Sequence, residues 1–98
     1  MYTVKYTKTF AIWLDGLKDY MTRLRLARRL DKVKRGNLGD VKALGEGVFE
    51  MREFFGPGWR MYYLQRGETL IVMLAGGDKS SQSADIAKAM EQARKLEE

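Results

Sequence analysis

Hydrophobic and polar residues alternate at the start of the chain. Tyr2-Thr3-Val4-Lys5-Tyr6-Thr7 is rich in β-formers and predicts a strand. The period then lengthens. Phe10, Trp13, Leu14 and Leu17 recur at i, i+3, i+4 and i+7, the stripe of an amphipathic helix. Thr7 or Thr9 can cap that helix. Gly16, near its end, weakens it by roughly 1 kcal/mol relative to Ala. A second helix follows with little break over residues 20–36. Met21, Leu24, Ala27, Leu30 and Val33 form its expected apolar stripe, and Gly36-Asn37 stops it. Two consecutive helices of this kind make an αα-hairpin with one apolar side.

After Gly39 the period changes to two. Val41 to Leu44 reads as a short strand or the approach to one, and Gly45-Glu46-Gly47 as a turn. Val48 to Phe54 is an expected strand, with Phe49 and Met51 on one face and Glu50 and Arg52 on the other. Gly56-Pro57-Gly58 reads as a type II turn, with Pro first and Gly second at its centre. Trp59 to Leu64 returns, with Trp59, Met61 and Tyr63 opposite Arg60 and Tyr62. Gln65 to Thr69 turns again, and Leu70 to Ala75, apolar on both faces, reads as the central strand. The stretch from Gly76 to Ser83 reads as a polar loop. A last helix is expected from about Ala84, capped by Ser81 or Ser83, with Asp85 near its positive end and Ile86, Met90 and Ala93 buried. The expectation is therefore an α+β fold of order β-α-α-β-β-β-α. Two N-terminal helices pack on one face of an antiparallel sheet that the first strand joins, as one domain over residues 1–98.

Composition narrows the chemistry. At 98 residues and 45% hydrophobic, the chain can build one modest core, burying roughly 60–65% of its unfolded surface. It has no cysteine, which removes disulfides and thiolate chemistry and fits a reducing cytoplasm. It has no histidine, the commonest acid/base group near neutral pH and the commonest metal ligand. The longest apolar run, Leu70 to Ala75, is too short to span a membrane, and the N-terminus has no secretory pattern. Charge is lopsided: residues 1–40 hold ten Lys and Arg against four Asp, and residues 41–98 hold eight against nine acids. An electropositive face suited to nucleic acid or an acidic protein follows.

Three constellations can carry function. One sheet face gathers Glu50, Arg52, Arg60 and Tyr62, with Lys42 near its edge. Arginines grip phosphate oxygens in pairs, tyrosine stacks on a base or donates a hydrogen bond, and Glu50 and Lys42 are the available proton-transfer groups. A solvated face with cross-strand Glu–Arg pairs has the same composition. The second is the basic helix, with Arg23, Arg25, Arg28, Arg29, Lys32, Lys34 and Arg35 against Asp31; it suits a phosphate backbone, an acidic partner or plain solvation. The third is the loop Gly76-Gly77-Asp78-Lys79-Ser80-Ser81-Gln82. It lacks Walker spacing, but it places Lys79 beside the sheet face or simply caps the last helix. Trp13, Trp59, Tyr63 and Phe49 read as core.

Four pieces in order carry a resemblance across nearly the whole chain. They are Phe10-x-x-Trp13-Leu14-x-x-Leu17 with the Arg-rich helix; Gly36-Asn37-x-Gly39-Asp40-x-Lys42-x-Leu44-Gly45-x-Gly47-Val48-x-Glu50-x-Arg52; Gly56-Pro57-Gly58-x-Arg60-x-Tyr62; and Gly76-Gly77-Asp78-Lys79-Ser80-Ser81-Gln82-x-x-Asp85-Ile86. The chain resembles the addiction-module killer proteins, HigB-like members of the RelE/ParE toxin superfamily. The resemblance implies a RelE-like fold and the toxin of a bacterial type II toxin–antitoxin system. It implies a ribosome-dependent mRNA endonuclease that uses the RNA 2′-hydroxyl as nucleophile, with no metal and no cofactor. The implied partners are the ribosome and mRNA, and a cognate helix-turn-helix antitoxin through which operator DNA is bound; no membrane is involved. By position it makes Lys42, Arg52, Arg60 and Lys79 the basic groups around the scissile phosphate. Glu50 or Lys42 becomes the proton acceptor, and Tyr62 a stacking or proton-donating group. A histidine-based mechanism is excluded, and a C-terminal catalytic tyrosine does not transfer because the last tyrosine is Tyr63. The same fold also supports ParE-type gyrase inhibitors, and a non-catalytic module binding a host protein or RNA.

Overall fold

Alternation at the start of the chain does form a strand, β1 (Thr3–Tyr6), and the two helical stripes form α1 (Lys8–Asp15) and α2 (Tyr20–Lys34). The computed structural model describes residues 1–97. Four strands follow rather than three: β2 (Val41–Gly45), β3 (Val48–Arg52), β4 (Trp59–Arg66) and β5 (Leu70–Asp78). A single 3₁₀ turn, Lys79–Ser81, leads into α3 (Gln82–Glu97). The order is thus β-α-α-β-β-β-β-α, with the stretch at 41–45 a full strand.

The sheet runs β1-β5-β4-β3-β2. The last four strands form the expected antiparallel meander, but β1 lies parallel to β5, so the sheet is mixed. The middle strand is β4; β5 is interior, between β1 and β4. Its apolarity on both faces has a simple cause: helices cover both. Phe10, Leu14, Leu26, Leu30 and Val33 from α1 and α2 meet Met51, Met61, Tyr63, Ile71 and Met73 on one face. Ala89 and Ala93 of α3 meet Val48, Tyr62, Leu64, Leu74 and Ala75 on the other. The face expected to carry only charge is therefore half covered. A bulge in β5 assists: Tyr62 pairs with Ala75 and Tyr63 with Met73, so Leu74 is an extra residue and joins Ala75 under α3.

Capping explains the helix starts. Thr7 Oγ1 accepts from the Phe10 amide at 3.1 Å and donates to the Leu74 carbonyl at 3.1 Å, capping α1 and fastening it to β5. The side chain of Asp19 accepts from the Thr22 amide (3.2 Å) and hydroxyl (2.7 Å), and the Thr22 hydrogen bond lowers its pKa. With α2 phased from that cap, its buried line is Thr22, Leu26, Leu30 and Val33. Met21, expected inside, is 55% exposed. In α3 the fully buried positions are Ala89 and Ala93, with Ile86 and Met90 at the margin.

The Gly76-Gly77 pair lies in β5, not in a loop. A Cβ at Gly76 would overlap the Trp13 ring on one face, and a Cβ at Gly77 would overlap the Asp85 carboxylate on the other. The glycines let two helices approach one point of a strand from opposite sides. Trp13 completes that corner against Phe10 and Trp59, with ring centroids 5.7 and 6.2 Å away. Gly76→Ala is expected to destabilise the fold by about 1–3 kcal/mol through overpacking. Trp13→Leu in the same chain should cancel part of that loss, as read from urea unfolding of the two single variants and the double.

Candidate functional site

Strand register assembles the candidate residues. Lys42 pairs with Glu50 and Glu50 with Tyr62, forming one row across β2, β3 and β4. Arg52 pairs with Arg60, and Arg60 with Gly77, forming the next. Both rows lie on the face that α3 covers in part, at the end where that helix begins. The expected face is real, yet it is not a solvated one: Glu50 is 1% exposed, Arg60 6% and Tyr62 0%. Lys42 and Lys79 remain exposed at its edges.

Each buried group is held differently. Glu50 Oε1 accepts from Gln82 Nε2 at 2.7 Å, so the first residue of α3 fixes the carboxylate. Arg60 Nη1 donates to the carbonyls of Glu53 (3.2 Å) and Trp59 (3.1 Å), while its Nε is buried without a partner among the described residues. The Tyr62 hydroxyl is likewise buried and unpaired among those residues. Burial first, then the charges of Glu50 and Asp85, push its pKa up, with Arg60 opposing. Tyr62 thus stays a phenol that can donate, and its lack of exposed surface removes the stacking role expected of it. Arg52 Nη2 pairs with Asp40 Oδ1 at 2.9 Å, which raises its pKa.

The approach to the site is made by loops. The turn before β4 closes with the Gly58 amide donating to the Phe55 carbonyl at 3.1 Å, so Gly56 and Pro57 are its central residues, one position earlier than the pattern suggests. Gly56 (φ +57°) and Gly58 (φ +81°) carry the positive angles. A side chain at Gly58 would touch both the Lys79 stem and Arg60 Nη1, so this turn borders both residues. Lys79 and Ser80 to Ala84 line an open hollow of about 520 Å³ at the start of α3. Ser81 Oγ donates to Asp85 Oδ2 at 2.6 Å. Ser80 donates twice to the Asp78 carboxylate, and those hydrogen bonds lower its pKa. Gln82 and Asp85 are site residues that sequence reasoning missed in this role. The Ser81–Asp85 spacing is visible in the chain, but the Gln82–Glu50 contact spans 32 residues and has no local signature.

The basic helix lies across the sheet, on the opposite face from Glu50. It is not one uniform surface. Arg29 is spent inside the fold: it donates to the carbonyls of Leu38 (2.9 Å), Asp40 (2.9 Å) and Arg52 (3.0 Å), and pairs with Glu53. Arg25 lies on the Phe55 ring, 3.8 Å from its centroid. Arg23 sits near Tyr20, and Lys34 pairs loosely with Asp31 at 3.9 Å. Arg28, Lys32 and Arg35 are exposed. Arg25, Arg28, Arg29 and Lys32 line a hollow of about 200 Å³ with Glu53. Among the described residues, no group of three or more His, Cys, Asp or Glu is placed to hold a metal ion. No described helix is long and apolar enough to cross a membrane.

No protein-family model matches the chain. An uncharacterized protein of Haemophilus influenzae is 38% identical over 93 residues, spanning 95% of this chain and 94% of its own. The chain belongs to that protein's family. Among solved structures, a double mutant of the E. coli toxin RelE in the free state superposes with a TM-score of 0.73 at 15% identity, covering 93% of this chain and 96% of RelE. A chain of the intact E. coli RelBE toxin–antitoxin complex matches with a TM-score of 0.66 at 16% identity, covering 80% and 96%. A conserved hypothetical protein of Helicobacter pylori matches at 0.54 and 19%, covering 82% and 97%. The fold of this family member is that of RelE.

Burial, its main cause, pushes the Tyr63 phenol up to about 12, against an ordinary value of about 10. A folded pKa above the unfolded one gives stability that is complete below about pH 10 and is lost as pH rises through the folded value. Urea midpoints should therefore fall between about pH 10 and 12, and Tyr63→Phe should flatten that fall. Arg29→Ala should cost roughly 3 kcal/mol, since it strands Glu53 and three carbonyls. Arg28→Ala should stay within about 0.5 kcal/mol. Parallel denaturation curves distinguish an internal clamp from a surface charge.

Proposed function

We propose that the chain is the toxin of a type II toxin–antitoxin pair, of the HigB-like branch, and a ribosome-dependent mRNA endonuclease. The observation that carries this reading is the buried Glu50 carboxylate, fixed by Gln82 beside Arg60 and Tyr62 on a RelE fold. A carboxylate held next to a buried, incompletely paired arginine suits a reaction in which a proton leaves a hydroxyl as charge gathers on phosphate.

The residues then take these roles. The RNA 2′-hydroxyl attacks the adjacent phosphorus, and Glu50 accepts its proton through Oε2. Arg60, with Arg52, Lys42 and Lys79 around it, steadies the phosphate as the new oxygen–phosphorus bond forms. The bond to the 5′-oxygen breaks, and that leaving oxygen takes its proton from water, because the buried Tyr62 hydroxyl does not reach it. The products are a 2′,3′-cyclic phosphate and a 5′-hydroxyl, and no metal is required. The exposed cations of α2 and its C-cap (Arg28, Lys32, Lys34 and Arg35, with half-buried Arg23 and with Arg25 over Phe55) dock ribosomal RNA or an acidic antitoxin segment. The partner is a helix-turn-helix antitoxin, whose complex with this chain binds operator DNA, and the site of action is the cytoplasm. The RelBE complex among the structural neighbours supports an antitoxin partner.

Primer extension on a translated message tests this. The wild-type chain should cut within the reading frame, and Glu50→Gln and Arg60→Ala should each lower the rate about 10²–10³-fold, the range for one lost transition-state contact. An uncut message together with DNA damage in arrested cells would replace this reading with gyrase inhibition.

A further inference from the structure

Only three aromatic side chains among the described residues are exposed: Tyr6, Tyr20 and Phe54. Tyr6 closes β1 near Lys34, and Tyr20 opens α2 near Arg23. Phe54 alone borders the candidate site. It is the second residue after β3, is 74% exposed, and has the guanidinium carbons of Arg60 and Arg52 at 5.7 and 6.0 Å from its ring centroid.

The residues on both sides of Phe54 are pinned. The Glu53 amide donates to the Trp59 carbonyl at 2.9 Å, its own carbonyl accepts from Arg60, and its carboxylate pairs with Arg29. Phe55 packs under Arg25 and against the α1/α2 core. The ring of Phe54 is therefore presented from a fixed backbone, beside the two arginines rather than toward the apolar core. A phenyl ring left in water near two guanidinium groups offers a flat apolar face next to positive charge. An unpaired nucleotide matches both, with its base on the ring and its phosphate on the arginines.

We propose that Phe54 is the stacking platform for an unpaired base of RNA, adjacent to the phosphate gripped by Arg52 and Arg60. The inference rests on the endonuclease reading and specifies its substrate as a splayed single-stranded segment. It also fills the role that the buried Tyr62 cannot.

The test compares wild type with Phe54→Leu and Phe54→Trp by primer extension on translating ribosomes, with melting temperature as a control. Leucine keeps the apolar bulk and removes the π face. Phe54→Leu should lose about ten-fold in kcat/KM, within the range for one base–aromatic stack, mostly through KM, with the melting temperature unchanged. Phe54→Trp should keep or improve on wild-type cutting. If wild type cuts and Phe54→Leu cuts equally well, the platform is wrong while the endonuclease reading stands. If Phe54→Trp cuts no better than Phe54→Leu, stacking is not the role. Equal cutting by Phe54→Leu together with weakened antitoxin binding would assign the ring to a protein interface and overturn the proposal. A message left whole by the wild-type chain would remove the endonuclease reading and this inference together.

Discussion

The Arg29 guanidinium ties the helical layer by polar contacts to the chain around one end of the sheet. It collects the carbonyls of Leu38, Asp40 and Arg52 and the carboxylate of Glu53. These groups belong to the segment entering β2 and to the end of β3. With planar donors satisfied on several sides, Arg29 fixes how the helical layer meets one end of the sheet. Gly39, at φ +70°, sits against that guanidinium with no room for a side chain. Glu53 receives Arg29 from one side of the sheet and Arg60, through its carbonyl, from the other. The basic helix and the buried carboxylate site are thus coupled mechanically through one residue, although they face opposite ways.

The site itself is a product of layering. Strand register alone brings Lys42, Glu50 and Tyr62 into one row and Arg52 and Arg60 into the next. The start of α3 then converts an ordinary polar sheet face into a closed one by placing Gln82 on Glu50 and Asp85 over Gly77. Burial changes the character of the groups. A tyrosine that would be an exposed stacking surface on an open sheet becomes a shielded phenol beside two carboxylates.

Much of this was legible in the chain because it depends on local periodicity. The two helical stripes, the alternation of Phe49 and Met51 against Glu50 and Arg52, and the Thr7 cap are local patterns, and each appears in the structure. Long-range pairings left weaker traces. The doubly apolar run of β5 signalled cover on both faces, yet did not say that α3 supplies the second cover. Gly76-Gly77 has loop composition, and only the approach of Trp13 and Asp85 shows why a strand needs it. Arg29 is indistinguishable from Arg28 in sequence, because its partners come from residues 38–53. Likewise Phe54 looks like the end of a strand until Phe55 and Glu53 are seen to be pinned and it is not.

The parallel pairing of β1 with β5 bears on how the molecule comes into being. Thr3 lies beside Leu70, and Thr7 is tied to Met73 and Leu74, so the first strand of the fold docks on the last. The amino-terminal strand and α1 have no sheet to rest on until β5 emerges, and closing so long a loop is entropically costly. The buried carboxylate waits on the same event, since Gln82 follows β5. A growing chain therefore carries the basic helix well before it carries a finished site, because α2 precedes β5 and Gln82 follows it.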